Sequence, residues 1–232
     1  MHFDDDAILR ADPGDPTVID QISGRHMGVR IDPDTLVCHY TVTPTLDRAI
    51  AVQRARTYWA NCTIDGYKEG QRSVARLAMS VPFNIRASHA KGYNHRSAGV
   101  EIANPGPCWI HDDGVLRTSY GAKWDPADAI ETGPVKGYPR QWTHWCRYTD
   151  EEMLLLMGIA LAMKARKDLF PKFEHITGHH QIDPTRKFDP GPTEDDELAD
   201  GGPVEVPVFH MRWLRQQVFP EQFADTEPPG AP

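Results

Sequence analysis

The sequence is poor in the features that mark membrane, secreted and nucleic-acid-binding proteins. Its longest apolar run, Met153 to Met163, is too short to cross a bilayer, and its first ten residues contain neither a basic nor an apolar segment. The formal net charge of -8 leaves no basic excess for nucleic acid or an anionic membrane. The 4 cysteines are scattered and include no C-x-x-C pair. We therefore expect a chain that is made in the cytoplasm without a signal peptide, inserts in no membrane, binds no nucleic acid and keeps its thiols reduced.

Predicted strands and helices alternate along the chain, which indicates a single α/β domain with a mixed central sheet flanked by helices. The predicted strands are 35–40, 74–83, 98–102 and 173–177, with a break at 66–70. The predicted helices are 47–62, 149–167 and 208–219. The signal is clearest for the second helix, because Thr149 and Glu152 have the spacing of a capping box.

Composition divides the chain into three parts. Residues 1–34 are rich in Asp, Pro and Gly and predict an irregular lead-in, with a short strand near residues 17–19. Residues 35–219 form the predicted domain, and residues 220–232 predict a disordered tail. Within the domain, residues 104–148 show no strong period, so this insertion either contains short elements or serves the function directly.

The stretch Gly178 to Pro192, GHHQIDPTRKFDPGP, holds chemically active side chains on a backbone stiffened by three prolines. Because successive side chains of an extended segment alternate, Lys187 and Asp189 are predicted to lie on one side and Phe188 on the other. Such a loop is typical of a site that holds a metal ion and a charged group in register.

Three residues offer the ligand set of a zinc hydrolase, which uses three protein ligands and leaves one position open. They are His39, His179 and Asp189, although His180 competes with His179 for the role. Adjacent residues of an extended loop point in opposite directions, so only one of the two histidines is expected to bind the metal. Glu101 fits the carboxylate that moves the proton, and Lys187 fits the cation that stabilises an oxyanion. Taken alone, His39 has a simpler explanation as a hydrogen-bonded histidine at the edge of the core. Glu101 alone is equally explained as a strand-end carboxylate that faces water.

The tryptophans of the insertion allow two interpretations. They either anchor a lid through apolar contacts or line a groove for a sugar or a peptide. They are Trp109, Trp124, Trp142 and Trp145.

Four segments resemble the type 2 N-acetylmuramoyl-L-alanine amidases, the zinc amidase fold that includes peptidoglycan recognition proteins. VCHYTVTP is similar to the strand of the first ligand, and VPFNIRASHA is similar to the segment that leads to a substrate-side histidine. SAGVEIANPG resembles the strand of the catalytic acid, and GHHQIDPTRKFDPGP resembles the loop of the second ligand. The resemblance runs from about residue 36 to residue 192, and the last segment is the most specific.

The resemblance implies one zinc ion in a surface groove, bound by His39, His179 and Asp189, with Glu101 and Lys187 catalytic. The choice of His179 over His180 rests on it. It also implies that His89 contacts the substrate, and we add Asn94 of the same loop and Trp109 of the insertion as predicted contacts. The run SHAKGYNH is similar to phage-lysozyme-type amidases, whereas an Asp third ligand with a Glu–Lys pair resembles cytosolic recycling amidases.

We therefore expect hydrolysis of the amide between N-acetylmuramic acid and L-alanine in peptidoglycan, by a monomeric phage or prophage endolysin that reaches the wall after release. Two alternatives stay open: a cytosolic amidase that recycles anhydro-muropeptides, and a non-catalytic peptidoglycan-binding module.

Overall fold

A six-stranded mixed sheet forms the centre of the protein, whose computed structural model describes residues 1–14, 17–22, 24, 26, 28–56, 58–69 and 72–224. In spatial order its strands are β12 (His175–Gly178), β4 (Thr35–Tyr40), β7 (Ser97–Ile102), β5 (Cys62–Glu69), β6 (Arg72–Met79) and β3 (Val18–Gln21). Neighbouring strands are parallel except β5 and β6, which pair antiparallel. The predicted mixed α/β architecture is confirmed.

Helices cover both faces of this sheet. They are α1 (Leu46–Arg56), α2 (Asp150–Ala165), the single turn α3 (His179–Ile182) and α4 (Met211–Val218). On β5, Thr63 accepts a hydrogen bond from Gln53 of α1 at 2.8 Å, whereas Cys62 and Ile64 lie in the main apolar core with α2. Because side chains alternate along a strand, α1 and α2 lie on opposite faces.

The strand register decides which residues meet on the α1 face. Cys38 of β4 and Val100 of β7 point into the main core. His39 and Glu101, one position further along each strand, therefore point to the α1 face, and they are direct register partners. The sheet thus places an imidazole and a carboxylate side by side before any loop contributes.

The insertion forms a second sheet, antiparallel throughout, in the order β10-β11-β8-β9. Its strands are β8 (Pro107–Ile110), β9 (Leu116–Thr118), β10 (Ala129–Glu131) and β11 (His144–Cys146). The sequence gives no signal for these strands, because three or four residues are too few to show a period of two. Trp145 of β11 is 1% exposed and packs in the main core.

Two element predictions are wrong around β5. Helix α1 ends at Arg56 rather than residue 62, and Trp59 packs in a separate cluster with Val81 and Ala87. The predicted break at 66–70 falls on β5, which continues to Glu69. Gly66 is required here for close packing: a Cβ at this position would lie 2.2 Å from Oγ1 of Thr149.

The first 34 residues are more ordered than predicted. Besides β3 they contain β1 (His2–Phe3) and β2 (Leu9–Arg10), and Phe3 and Leu9 are buried in the main core. These apolar positions are isolated among Asp, Pro and Gly, so the sequence shows no periodic apolar pattern that would predict these strands. At the other end, Pro220–Phe223 forms a 3-10 helix, and residues 225–232 of the predicted tail lie outside the described residues. The domain boundaries stay predictions.

Substituting Gly66→Ala is expected to destabilise the fold by about 1–3 kcal/mol, the usual cost of overpacking a filled site. The added methyl group would collide with Thr149, whose side chain caps α2 by accepting from the Glu152 amide. Urea unfolding measures the loss. Gly202→Ala is the matched control, because its Cβ would meet nothing closer than 3.4 Å. Equal stability of the Gly66→Ala variant and the wild type would contradict the packing argument.

Glu152 provides a pH-dependent test of the same helix start. Its carboxylate accepts from the backbone amide of Thr149 at 2.8 Å, but burial raises the pKa of Glu152 to about 8. Between the unfolded pKa near 4.5 and the folded pKa of about 8, Glu152 is protonated in the folded chain and ionised in the unfolded chain. The free energy of unfolding therefore falls as pH rises through this range. Glu152→Gln should remove this part of the decline. Thermal unfolding of both proteins at pH 5 and pH 8.5 measures it, and parallel losses would contradict it.

Candidate metal centre

Three buried side chains converge at the carboxyl end of the central strands. The Asp189 carboxylate oxygen Oδ2 lies 2.8 Å from Nδ1 of His39 and 3.0 Å from Nδ1 of His179. The three candidate ligand atoms lie within 4.8 Å of one another. Two imidazole nitrogens and a carboxylate oxygen are a zinc donor set, so these residues fit the metal that the sequence predicts.

The fold brings these residues together through neighbouring parallel strands. His39 lies near the end of β4, and His179 directly follows β12, which pairs with β4. Asp189 precedes Pro190 in a cis peptide bond. A Cβ at Gly178 would lie 2.7 Å from both the His180 ring and Pro190, so only glycine allows this close approach.

The electrostatics of the cluster favour the ligand forms of these groups. Burial lowers the pKa of His39 to about 4, which keeps the imidazole neutral. Burial would by itself raise the pKa of Asp189, but hydrogen bonds to His179 and His39 hold it well below its usual value. A neutral imidazole and an ionised carboxylate are the states that bind a metal ion.

The two adjacent histidines have different surroundings. His180 points away from the cluster: its Nδ1 lies 3.1 Å from the backbone oxygen of Asp189, and its Nε2 lies 3.4 Å from the Asp196 carboxylate. The predicted extended backbone at this point is wrong, because both residues open the helical turn α3. The turn nevertheless separates the two rings.

His89, predicted to contact substrate, lies directly behind His39. Its Nδ1 is 3.0 Å from Nε2 of His39, and its Nε2 is 3.3 Å from both the hydroxyl and the carbonyl oxygen of Ser97. This chain of contacts fixes the orientation of the His39 ring. Gly99 makes room for it, since a Cβ there would lie 2.5 Å from the His89 ring. His89 also lines the groove described below.

Glu101 and Lys187 both line the same groove as the three candidate ligands. Glu101 is 5% exposed, and its burial raises the pKa of its carboxyl group well above the ordinary value. The Asp189 carboxylate raises that pKa further, whereas the Lys187 ammonium lowers it. Glu101 is therefore a buried carboxyl group with one nearby cation, not the solvent-facing strand end that was the alternative.

The groove has a volume of about 1050 Å³ and is strongly basic. Helix α1 forms one wall, and the 86–94 loop and the 186–189 segment form the others. Its cations are Arg48, Arg56, Arg86, Lys91, Arg186 and Lys187. Its carboxylates are Glu101 and Asp189. Although the whole chain carries a net charge of -8, the lining of this groove is basic. The positive potential is therefore concentrated where an anionic ligand would bind.

Asn94 shapes the groove from within the 86–94 loop. Its side-chain oxygen accepts hydrogen bonds from the backbone amides of His89 at 3.1 Å and Ala90 at 2.7 Å. It also borders the groove, and its contact with substrate stays a prediction.

Trp109 lies in the insertion sheet, where its ring stacks on His111 at 5.4 Å, outside the described groove lining. Its substrate contact stays a prediction. Tyr120 is the insertion residue that reaches the groove, and sequence reasoning missed it. The available signal was an aromatic residue in the Ser119-Tyr120-Gly121 turn, where Gly121 has a φ of 85°.

Other aromatic residues of the insertion support the ligand segment from behind. Phe188, between Lys187 and Asp189, packs against Trp142 at 5.0 Å and Tyr138 at 5.3 Å. Tyr148 donates a hydrogen bond to the Pro190 carbonyl at 2.7 Å. The insertion thus holds the segment that carries Lys187 and Asp189.

The fold and this cluster define a single α/β domain with a candidate metal centre at the carboxyl end of its parallel strands. The model of the N-acetylmuramoyl-L-alanine amidase family matches residues 30–192 of this chain. The chain belongs to this family, and the recognition made from its motifs is confirmed. No curated protein gives a significant match.

Solved structures of amidases and endolysins are similar to this chain at low sequence identity. AmiD of E. coli, solved with anhydro-N-acetylmuramic acid-L-Ala-D-γ-Glu-L-Lys, is 20% identical with a TM-score of 0.50, covering 83% of this chain. The match spans 60% of the AmiD chain. AmpDh3 of Pseudomonas aeruginosa is 20% identical, with a TM-score of 0.44 and coverage of 80% and 62%. The Ph2119 endolysin of a Thermus scotoductus bacteriophage is 13% identical, with a TM-score of 0.42 and coverage of 86% and 98%.

Among the described residues, no helix has both the length and the apolar character needed to cross a membrane.

Proposed function

We propose that this protein is a zinc-dependent amidase that hydrolyses the bond between N-acetylmuramic acid and L-alanine in peptidoglycan. The observation that carries the proposal is the convergence of His39, His179 and Asp189 in one groove with Glu101 and Lys187. Membership of the amidase family supports it. The muramyl-peptide bound to AmiD supports the class of substrate.

His39, His179 and Asp189 would hold one zinc ion. A bound zinc ion supplies Lewis acidity, which polarises a carbonyl group and makes water nucleophilic at neutral pH. Glu101 accepts the proton of the attacking water and delivers it to the leaving nitrogen of L-alanine. Its raised pKa makes Glu101 a stronger base than an ordinary carboxylate, and the protonated carboxyl group is still more acidic than the leaving amine, so it returns the proton. The Lys187 ammonium stabilises the negative oxygen that develops on the carbonyl group.

The walls of the groove bind the rest of the substrate. A stem peptide carries free carboxylates, which suit the six cations of the lining. His89 and Asn94 border the same groove and act as substrate contacts, with Trp109 as a contact outside it. His89 has a second role in orienting His39, because the two rings are 3.0 Å apart at their nearest nitrogens.

We further propose that the enzyme is a phage or prophage endolysin, active as a monomer on polymeric wall after release from the cell that makes it. The similarity of SHAKGYNH to phage-lysozyme-type amidases supports this role. A recycling amidase is the alternative, and the Asp189 ligand with the Glu101–Lys187 pair favours it. The two differ in substrate: intact wall for the first, soluble anhydro-muropeptides for the second.

Digestion of purified sacculi, with and without a chelator, tests the proposal. New L-alanine amino termini are expected on sacculi, and the chelator should abolish them until zinc is restored. Cleavage of soluble anhydro-muropeptides alone would replace the endolysin with the recycling enzyme. Zinc binding without cleavage of either substrate would leave the non-catalytic binding module and overturn the role of Glu101.

A further inference from the structure

The four cysteines, scattered in sequence, form two spatial pairs. All four are free thiols with no exposed surface. Cys38 and Cys62 lie in the central sheet, and Cys108 and Cys146 lie in the insertion sheet. A strand lies between Cys38 and Cys62, whereas Cys108 and Cys146 lie on neighbouring strands. This difference decides which pair can form a disulfide bond.

The Cys38–Cys62 pair is too far apart to be joined. Cys38 of β4 and Cys62 of β5 are both register partners of Val100 on the intervening strand β7. Two strand spacings separate them, about 9.6 Å. A disulfide requires Cα atoms no more than about 7 Å apart, so this pair stays reduced.

The Cys108–Cys146 pair has no strand between its members. In the antiparallel pairing of β8 with β11, Cys108 is opposite His144, and Cys146 lies two residues further along. Side chains two residues apart share a face, so both thiols point to the same side of the sheet. There they share one buried cluster with Leu116.

The two thiols are neighbours in this cluster. The Cys108 thiol, together with burial, raises the pKa of the Cys146 thiol. A metal ion does not explain the pair: among the described residues, the one group of three or more candidate ligands is His39, His179 and Asp189. Two neighbouring thiols with no further metal ligand beside them can be oxidised to a disulfide bond.

We propose that Cys108 and Cys146 form a disulfide bond that joins β8 to β11 and closes residues 108–146 into a covalent loop. The oxidant is a small disulfide such as oxidised glutathione. One cysteine thiolate attacks it and releases the first reduced thiol. The second cysteine thiolate then attacks the mixed disulfide and releases the second. The two cysteines are oxidised and the reagent disulfide is reduced, and the two protons lost by the cysteine thiols are taken up by the two released thiolates.

The structure indicates when this exchange takes place. The thiols are expected to be reduced while the chain is made, and both are buried in the finished fold, so a bulky disulfide reaches them during local opening of the insertion sheet. The bond would then persist, because the same burial shields it from reductants. The closed loop contains Tyr120, the insertion residue that lines the groove. The redox state of the pair therefore sets the rigidity of that groove wall.

Refolding of the full chain in a mixture of reduced and oxidised glutathione tests the proposal. The intact mass should fall by two hydrogen atoms, and peptide mapping should join Cys108 to Cys146. The oxidised protein should melt about 5–10 °C above the reduced protein, the effect expected for a loop of this size. Mapping of the unsubstituted chain keeps the test valid even where a cysteine variant folds poorly.

Cysteine variants sharpen the outcome. Cys108→Ala should abolish both the mass change and the response of the melting temperature to reductant. The double variant Cys38→Ala and Cys62→Ala should keep both. Four free thiols after oxidative refolding, or a link that includes Cys38 or Cys62, would overturn the proposal. None of these measurements uses hydrolytic activity, so the result is independent of the proposed function.

Discussion

Substituting Glu101→Gln is expected to lower kcat/KM on peptidoglycan by about 10²–10⁴-fold, the usual contribution of a general base. The amide cannot accept a proton from water, yet it has nearly the same shape as the buried carboxyl group. The three candidate ligands are unchanged, so one zinc ion per chain should remain bound. Release of L-alanine amino termini measures activity, and elemental analysis measures zinc.

Glu131→Gln is the matched control, because Glu131 is an exposed carboxylate on β10, outside the described groove lining. This variant should behave as the wild type. Full activity of Glu101→Gln would remove Glu101 from the mechanism. Loss of zinc together with activity would show that Glu101 supports the centre rather than the proton transfer.

Substitution of either adjacent histidine by alanine should separate their roles. His179→Ala removes a candidate ligand, and zinc affinity is expected to fall by more than about 100-fold, since even outer-shell partners of ligands contribute about 10–100-fold. His180→Ala should cost less and keep zinc, because its ring contacts the Asp189 backbone oxygen and Asp196 rather than the three ligand atoms. Competition with a zinc-binding dye measures both affinities.

His175→Ala serves as the control for general effects of losing an imidazole, because that side chain is 53% exposed. The assignment would fail if His180→Ala lost zinc while His179→Ala kept it. Equal losses in both variants would indicate that the turn α3 collapses as a unit, which circular dichroism and urea unfolding would detect.

The sequence predicted those parts of the fold that carry local signals. The buried run 35–40 gives β4 as predicted, and the capping box of Thr149 and Glu152 marks the start of α2 within one residue. The GHHQIDPTRKFDPGP stretch brings Lys187 and Asp189 to one groove because its prolines restrict the backbone. These signals depend on residues near one another in the chain.

The remaining features depend on contacts between distant residues. Gly66 predicts a break when it is considered alone, but it is a packing position because α2 starts against it, 83 residues later at Thr149. Gly99 likewise gives no local sign that His89 needs its space. Tyr120 enters the groove only because the insertion folds back as a sheet. The strands of that sheet are too short to be predicted from the sequence.

The parallel pairing of β3 with β6 has a practical consequence for anyone who trims this protein. The family match begins at residue 30, after β3, and ends at residue 192, before α4. A fragment cut at those limits would leave the edge of β6 unpaired, and it would uncover the side of β12 that α4 covers. Unpaired edges recruit other strands, so such a fragment would tend to self-associate. The segments on either side of the family match therefore protect this domain from self-association, although the candidate metal ligands lie between them.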